Sequence, residues 1–334
     1  MISRIILKLV TAILSWPSWE TADRFGFALG RLAFRLGIRR ELVLDNLTQV
    51  FASPNTPPER RRTPEQIRAI AIKAYENAFA TFVMFARAQR MDAKFFAERF
   101  EADAASLDVL RRAHAAGRGV IAIGGHVGIW DVALMKVGRL GYPNAIIGKN
   151  IKNPVFDEWT KRVRADHGES TIPPKNSRPL IIDELRAGRL VTQAVDQNMT
   201  ARLGTFVDVM GRAASTVRST PGIVRETGCV VISGYARRIA PGRYRLIADP
   251  EVPWISHPDP ERENLLNTQH YSRIFDRVIL EKPEDWFWLH RRWKRRPENE
   301  DETAKFLAEL NAELDAILAR MNESDAPVAP IGGP

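Results

Sequence analysis

The spacing of apolar and polar positions divides the chain into three zones. In the first, apolar residues return at helical intervals. Ile2, Ile5, Ile6, Leu9 and Ile13 form one stripe, with Arg4 and Lys8 off it. Residues 22–37 are rich in Phe and Leu, carry Arg24, Arg31 and Arg35, and predict a second helix. Pro54, Pro57 and Pro58 mark a loop over 53–63, and a long helix is expected from about 64 to 89.

From Gly119 the pattern shortens to brief β-rich runs alternating with amphipathic segments. Strands are predicted at 120–123, 145–147, 190–195, 205–209, 230–235 and 244–247. Helices are predicted at 130–140, 154–167, 178–187 and 215–227. Continuously apolar strands between helices imply a sheet covered on both faces. The expected class is α/β, with a mixed, mostly parallel central sheet flanked by helices. The third zone is helical again, at 263–280, 286–295 and 302–321. In the last of these, Phe306, Leu310, Leu314, Ile317 and Met321 form one stripe. The prolines at 327, 330 and 334 predict a disordered tail.

Composition narrows the partners. The chain has 334 residues, 45% of them hydrophobic, enough for a sizeable core. Its single cysteine, Cys229, excludes an internal disulfide and a Cys-rich metal site. A net charge of +9 suits an anionic partner: nucleic acid, a membrane surface or an acidic carrier. The N-terminal stripe is too short and too interrupted for a spanning helix, which needs about 20 apolar residues. It reads as an interfacial helix on an anionic membrane, or as a helix packed on the protein's own core.

The candidate chemistry begins where the first strand of the second zone stops. Gly124 and Gly125 precede His126, and Asp131 follows where a helix is expected to start. Residues five apart on one helix point about 140° away from each other, so a continuous helix could not pair them. A turn before a helix could, and Gly124, Gly125 and Gly128 permit one. Asp131 would then hold one ring nitrogen and leave the other as a base; the alternative is a loop histidine and a helix-start aspartate without chemistry.

The polar triplet Asp196-Gln197-Asn198 repeats this placement after another apolar strand, or simply initiates a turn. Arg164 follows Asn153-Pro154 on a predicted helix, where a lone arginine is ordinarily solvated. Gly211-Arg212 precedes Ser215 and Thr216, which read as helix N-caps; Arg212 beside a helix start could hold a phosphate. Residues 283–297 interleave tryptophans with basic residues, as a core-packed helix or an anion-binding face. There is no Walker A loop, G-x-S-x-G elbow, G-x-G-x-x-G or H-E-x-x-H.

In order and spacing, Gly-Gly-His126-x4-Asp131, Asn153-Pro154 with Arg164, Asp196-Gln197-Asn198, Gly211-Arg212-x-x-Ser215-Thr216 and the Pro283–Trp293 segment resemble the bacterial lipid A biosynthesis acyltransferases. These are the late lauroyl and myristoyl transferases and related glycolipid acyltransferases. The likeness runs from about residue 20 to 300. It implies acyl transfer from an acyl carrier protein or coenzyme A thioester to a hydroxyl of a membrane glycolipid such as a lipid A precursor. It implies a peripheral or singly anchored protein on the cytoplasmic face of the inner membrane, with no separate cofactor and no nucleic-acid partner. By the match, His126 and Asp131 would be the catalytic pair, supported by Arg164, Asp196, Gln197 and Arg212. Many lipid A enzymes carry Glu where this chain has Asp131, which leaves the acceptor lipid open.

The domain expectation is a membrane-associating helical region at 1–40, an acyltransferase catalytic domain at 41–322 and a disordered tail at 323–334. Other readings are transfer to another membrane lipid, a thioesterase or lipase using water, and a non-catalytic membrane-binding protein.

Overall fold

In a computed structural model of the chain, residues 2–54 and 56–324 are described. Helices α1 (Ile2–Ser15), α2 (Trp19–Arg35), α3 (Arg40–Phe51) and α4 (Pro64–Ala86) come first. Helix α4 opens on a capping box: Thr63 accepts from the Gln66 N–H, Gln66 returns the bond, and Pro64 takes the first turn. Then follow α5 (Ala93–Arg99), β1 (Phe100–Ala102), α6 (Ala104–Ala115), β2 (Val120–Gly124), α7 (Trp130–Arg139), β3 (Asn144–Ile147) and α8 (Pro154–Ala165). After these come β4 (Glu169–Ile172), α9 (Ser177–Arg186), β5 (Leu190–Ala194), β6 (Gly204–Val209), β7 (Arg212–Val217) and α10 (Ser219–Thr227). The chain closes with β8 (Val230–Ala240), β9 (Arg243–Asp249), α11 (Pro260–Glu281) and α12 (Glu300–Ser324).

Seven strands form one sheet in the order β1-β9-β8-β2-β5-β3-β4. All its pairings are parallel except β8 with β9. Strands β6 and β7 form a separate antiparallel pair. The expected mostly parallel sheet between helices is therefore present. Alternate residues of its central strands divide between two cores. Ile121, Ile123, Val191 and Val231 face the core that holds Phe275 and Val278 of α11. Val120, Ala122, Leu190 and Ile232 face the core that holds Val132 and Met135 of α7. Burial on both faces explains why these strands read as unbroken apolar runs.

Three expectations change. The helix predicted at 215–227 begins only at Ser219; Ser215 and Thr216 lie inside strand β7, so they cap nothing. The helix predicted at 286–295 is absent. After a short turn at Pro283–Asp285 the segment runs irregularly through further turns, burying Trp286, Trp288, Leu289, Arg292 and Trp293, as a strap across the site loops. The α12 stripe is shifted: Leu307, Leu310 and Leu314 are buried, while Phe306 is 40% exposed. Residues 323–324 are helical, and the rest of the expected tail lies outside the described residues.

Among the described residues, no helix is long and apolar enough to cross a membrane. Helix α1 turns Leu7 inward and exposes Ile5, Ile6, Leu9, Val10 and Ile13. Ser3 Oγ accepts a 3.1 Å hydrogen bond from Asn153 Nδ2, the N-cap of α8, which seats α1 beside that helix.

Candidate active site

Register builds the site. Strands β2 and β5 are parallel neighbours with Gly124 opposite Ala194, and the Val195 N–H reaches the Gly124 carbonyl at 3.0 Å. The next residues of each strand therefore leave the sheet side by side, at the carboxyl edge where α/β sheets bind ligands. One brings His126 and the other Asp196.

Asp196 holds the histidine. Its carboxylate lies 3.1 and 3.3 Å from His126 Nδ1 and accepts the His126 backbone N–H at 2.7 Å. The indole N–H of Trp286 donates to the same carboxylate at 2.9 Å. Only glycine fits at 125: a Cβ there would come within 2.6 Å of Asp196 Cγ and 2.5 Å of Phe275 Cζ. Gly128 then turns the chain at φ +60°, so α7 begins two residues later.

The electrostatics favour an ionised aspartate facing a strengthened base. Burial opposes charge on both groups. It is outweighed at His126 by the charge and hydrogen bond of Asp196, with a smaller contribution from Asp131, so the imidazole's pKa is raised above 6.5. His126, its hydrogen bonds and His290 hold the buried Asp196 carboxyl below the usual carboxylate range. Among the described residues, the hydrogen-bond partner of the other imidazole nitrogen, Nε2, is the Gln197 side-chain amide at 3.4 Å, and the His126 side chain remains 26% exposed.

Asp131 does not take the place expected for it. Its Oδ1 pairs with Arg164 Nη2 at 2.5 Å, and Arg164 Nε lies 3.0 Å from the buried Glu169. The start of α7, the end of α8 and the start of β4 thus meet in one cluster of charges, and the Nδ1 side of the histidine is left to Asp196. Arg212 lies elsewhere, on β7, with its guanidinium 5.6 Å from the centre of the Trp293 ring; the helix expected to open at Ser215 and form a phosphate site with it begins only at Ser219.

The strap after Pro283 was not legible as part of the site. Besides the Trp286 bond, the Phe287 N–H donates to the His126 carbonyl at 2.9 Å, and His290 Nε2 lies 2.9 Å from the Asp196 carbonyl. Arg292 donates to the carbonyls of Gln197 and Ser215. Glu169 was missed as well, because a single acidic residue opening a short strand carries no motif.

A cavity of about 570 Å³ opens at His126, and Asp131, Arg164 and Gln197 also line it. Its inner wall is apolar. Ala122, Leu190, Ile232, Leu246 and Ala248 come from one face of the sheet, with Leu110 of α6 and Ala133 and Val137 of α7 opposite. A carboxylate-held histidine thus stands over a slot suited to hydrocarbon.

A mostly parallel sheet, a carboxylate-held histidine at its carboxyl edge and an apolar slot beside it together make an α/β scaffold suited to an apolar ligand. The chain belongs to the bacterial lipid A biosynthesis acyltransferase family, whose model matches residues 4–295. It is 25% identical over 278 residues to the lipid A biosynthesis lauroyltransferase of Escherichia coli (strain K12), covering 82% of this chain and 86% of that protein. It is 25% identical over the same length to the lipid A biosynthesis palmitoleoyltransferase of the same strain and to a lipid A biosynthesis acyltransferase of Shigella flexneri. Each of these matches covers 82% of this chain and 85% of the relative.

Proposed function

We propose that this chain moves a fatty acyl group from a thioester donor to a hydroxyl of a lipid A precursor, with His126 as general base. The observation that carries this reading is the Nε2 face of an aspartate-held histidine at the mouth of an apolar slot. The slot takes the acyl chain and leaves the thioester carbonyl beside the imidazole. Nε2 accepts the proton of the acceptor hydroxyl while its oxygen attacks the carbonyl. Asp196 fixes the ring and stabilises the imidazolium. The tetrahedral intermediate collapses, the C–S bond breaks, and the thiolate leaves with the proton from His126. The Gln197 amide and the Arg164 guanidinium face the cavity as candidate partners for the oxyanion, and Asp131 positions Arg164.

The donor is an acyl carrier protein or coenzyme A thioester, and no cofactor enters the scheme. The exposed apolar residues of α1, with Arg4 and Lys8, suit attachment to the anionic cytoplasmic face of the bacterial inner membrane. Such a peripheral placement brings the lipid acceptor to α8 and the cavity beside it.

The deciding experiment incubates the purified chain with acyl thioester and vesicles containing the lipid A precursor, and reads the products by mass spectrometry. Acylated lipid, lost in a folded His126→Ala variant, is the expected result. Free fatty acid alone would replace transfer by thioester hydrolysis, and undiminished transfer by His126→Ala would remove the base.

A further inference from the structure

A second void, of about 10 Å³, touches Asp196 and leads to groups that the proposed reaction does not use: Arg292, Ser272 and Asp276. Arg292 is 1% exposed. It donates to the Ser215 carbonyl at 2.8 Å, the Gln197 carbonyl at 3.1 Å and Thr216 Oγ1 at 2.5 Å, all neutral acceptors. Among the described residues, no carboxylate forms an ion pair with it, and its Nε and the Ser272 hydroxyl have no hydrogen-bond partner. A buried cation without a contacting anion is costly unless charges further off compensate it. Asp196 and Asp276 are those charges: both favour the charged form of Arg292, against burial that brings its pKa down to about 10.

We propose that Asp276 is a positioning residue for the His126–Asp196 pair, its charge acting through the Arg292 guanidinium to set how readily His126 accepts a proton. The proposal rests on the reading of His126 as the base. With Asp276 neutral, the cation of Arg292 offsets Asp196 alone, and the field at His126 is less favourable to imidazolium. With Asp276 ionised, Arg292 is shared between two carboxylates, and the imidazolium is favoured. The low dielectric of the interior carries this over more than one contact.

The surroundings of Asp276 keep it close to titration. It accepts the Met210 N–H at 2.7 Å. Burial pushes its carboxyl up to about 8; the neighbouring Asp208 of β6 adds to the rise, while Arg292 and Arg60 oppose it. At the other end, His126 faces Asp196, Asp131 and His290. On this proposal the two ends titrate as a coupled set, linked through Arg292.

The test follows the His126 ring by NMR in the full chain with labelled histidine, from mildly acid to alkaline pH, alongside kcat/KM. Wild type is expected to show two inflections in the His126 signal, the upper one near 8. Asp276→Asn removes the upper inflection from both curves. Asp208→Asn moves it to lower pH, because a like charge beside Asp276 is lost. A single inflection in wild type overturns the proposal, as does an unchanged upper inflection in folded Asp276→Asn. If Asp276→Asn does not fold, the wild-type and Asp208→Asn curves decide. The NMR linkage does not depend on turnover, so an active His126→Ala variant would remove the base and leave the linkage standing.

Discussion

Asp131 Oδ1 sits 2.5 Å from Arg164 Nη2, while the imidazole five residues before Asp131 is held by Asp196 from a different strand. The two aspartates are therefore expected to fail differently. Asp196→Asn removes the charge that orients and strengthens His126, and its kcat should fall by about 10²–10⁴-fold, the usual worth of a positioned base. Asp131→Asn loosens Arg164 at the cavity wall and leaves the His126–Asp196 pair intact. It should lower kcat, through the oxyanion partner that Arg164 supplies, more than it moves the pH at which activity rises. Steady-state kinetics of both variants check this. Loss of the His126 titration in Asp131→Asn, with retention in Asp196→Asn, would reverse the assignment.

The pH dependence follows from the directions of the shifts. His126 has its pKa raised above 6.5, so a rate that needs neutral imidazole increases as pH rises through that higher value. In Asp196→Asn the offsetting charge is gone and burial remains, so the limb moves to lower pH. Stability obeys the same linkage. The raised histidine contributes stability that is full below 6.5 and lost as pH rises through its folded pKa. The lowered aspartate contributes stability that is present above 3.8 and lost as pH falls through its folded value. The shared interaction is thus greatest between those limits. Denaturant melts of wild type and Asp196→Asn should differ most at about pH 5, and the gap should narrow, without closing, as pH rises through the folded pKa of His126.

Gly125 admits the Asp196 carboxyl where any side chain would stand. Gly125→Ala places a Cβ within 2.6 Å of Asp196 Cγ and 2.5 Å of Phe275 Cζ, so the loop, the aspartate or α11 must move. Overpacking of this kind costs about 1–3 kcal/mol. The variant should melt at lower temperature and lose activity beyond its loss of folded protein. Activity per folded molecule equal to wild type would show that the approach is not needed.

The histidine end of the site was legible because local features mark it: an apolar run, two glycines, a histidine. Asp196 was legible as a polar strand end for the same reason. Their pairing was not, because the adjacency of β2 and β5 is set by sheet order across 70 residues, and no local pattern encodes that order. Asp131, near in sequence, drew the partnership that the sheet gives to Asp196. The 283–297 strap misled differently. Trp286, Leu289 and Trp293 happen to recur at helical spacing, but Trp288 and Arg292 are buried as well, because the segment winds through turns with side chains packed on several sides. Ser215 and Thr216 failed because a strand ending next to a helix offers the same small polar residues as a cap.

Helix α2 is fastened to the sheet by one buried pair. Asp23 accepts from Arg238 Nε at 2.8 Å, the Gly242 N–H at 2.7 Å and the Tyr244 hydroxyl at 2.9 Å. Asp23→Ala leaves the Arg238 charge buried without its carboxylate, a change that costs about 3–5 kcal/mol. Chemical denaturation should show that loss. Asp23→Ala with Arg238→Met should recover part of it, since the uncompensated cation, rather than the lost pair, carries most of the penalty. A double variant no more stable than Asp23→Ala would refute this account.

The depth of the slot should govern which acyl chain is transferred. Its inner wall uses small residues at three places, Ala122 and Ala248 from the sheet and Ala133 from α7. Each leaves room that a larger side chain would fill, and each is buried, so an added side chain extends into the slot or strains the core. Ala133→Leu enters from the helix side, where α7 can shift more easily than a central strand. It should exclude the longest acyl chains while leaving His126 and Asp196 in place. A hydrophobic pocket discriminates by about 10–200-fold for each methylene it cannot accept. The acyl profile of the product, read by mass spectrometry from a mixture of donors, should therefore move to shorter chains, with kcat for the shortest donor preserved. Leu110→Ala, which removes bulk from the α6 side, should move the profile to longer chains. If both variants keep the wild-type profile, the hydrocarbon lies elsewhere, and the cavity over the sheet is not the acyl site.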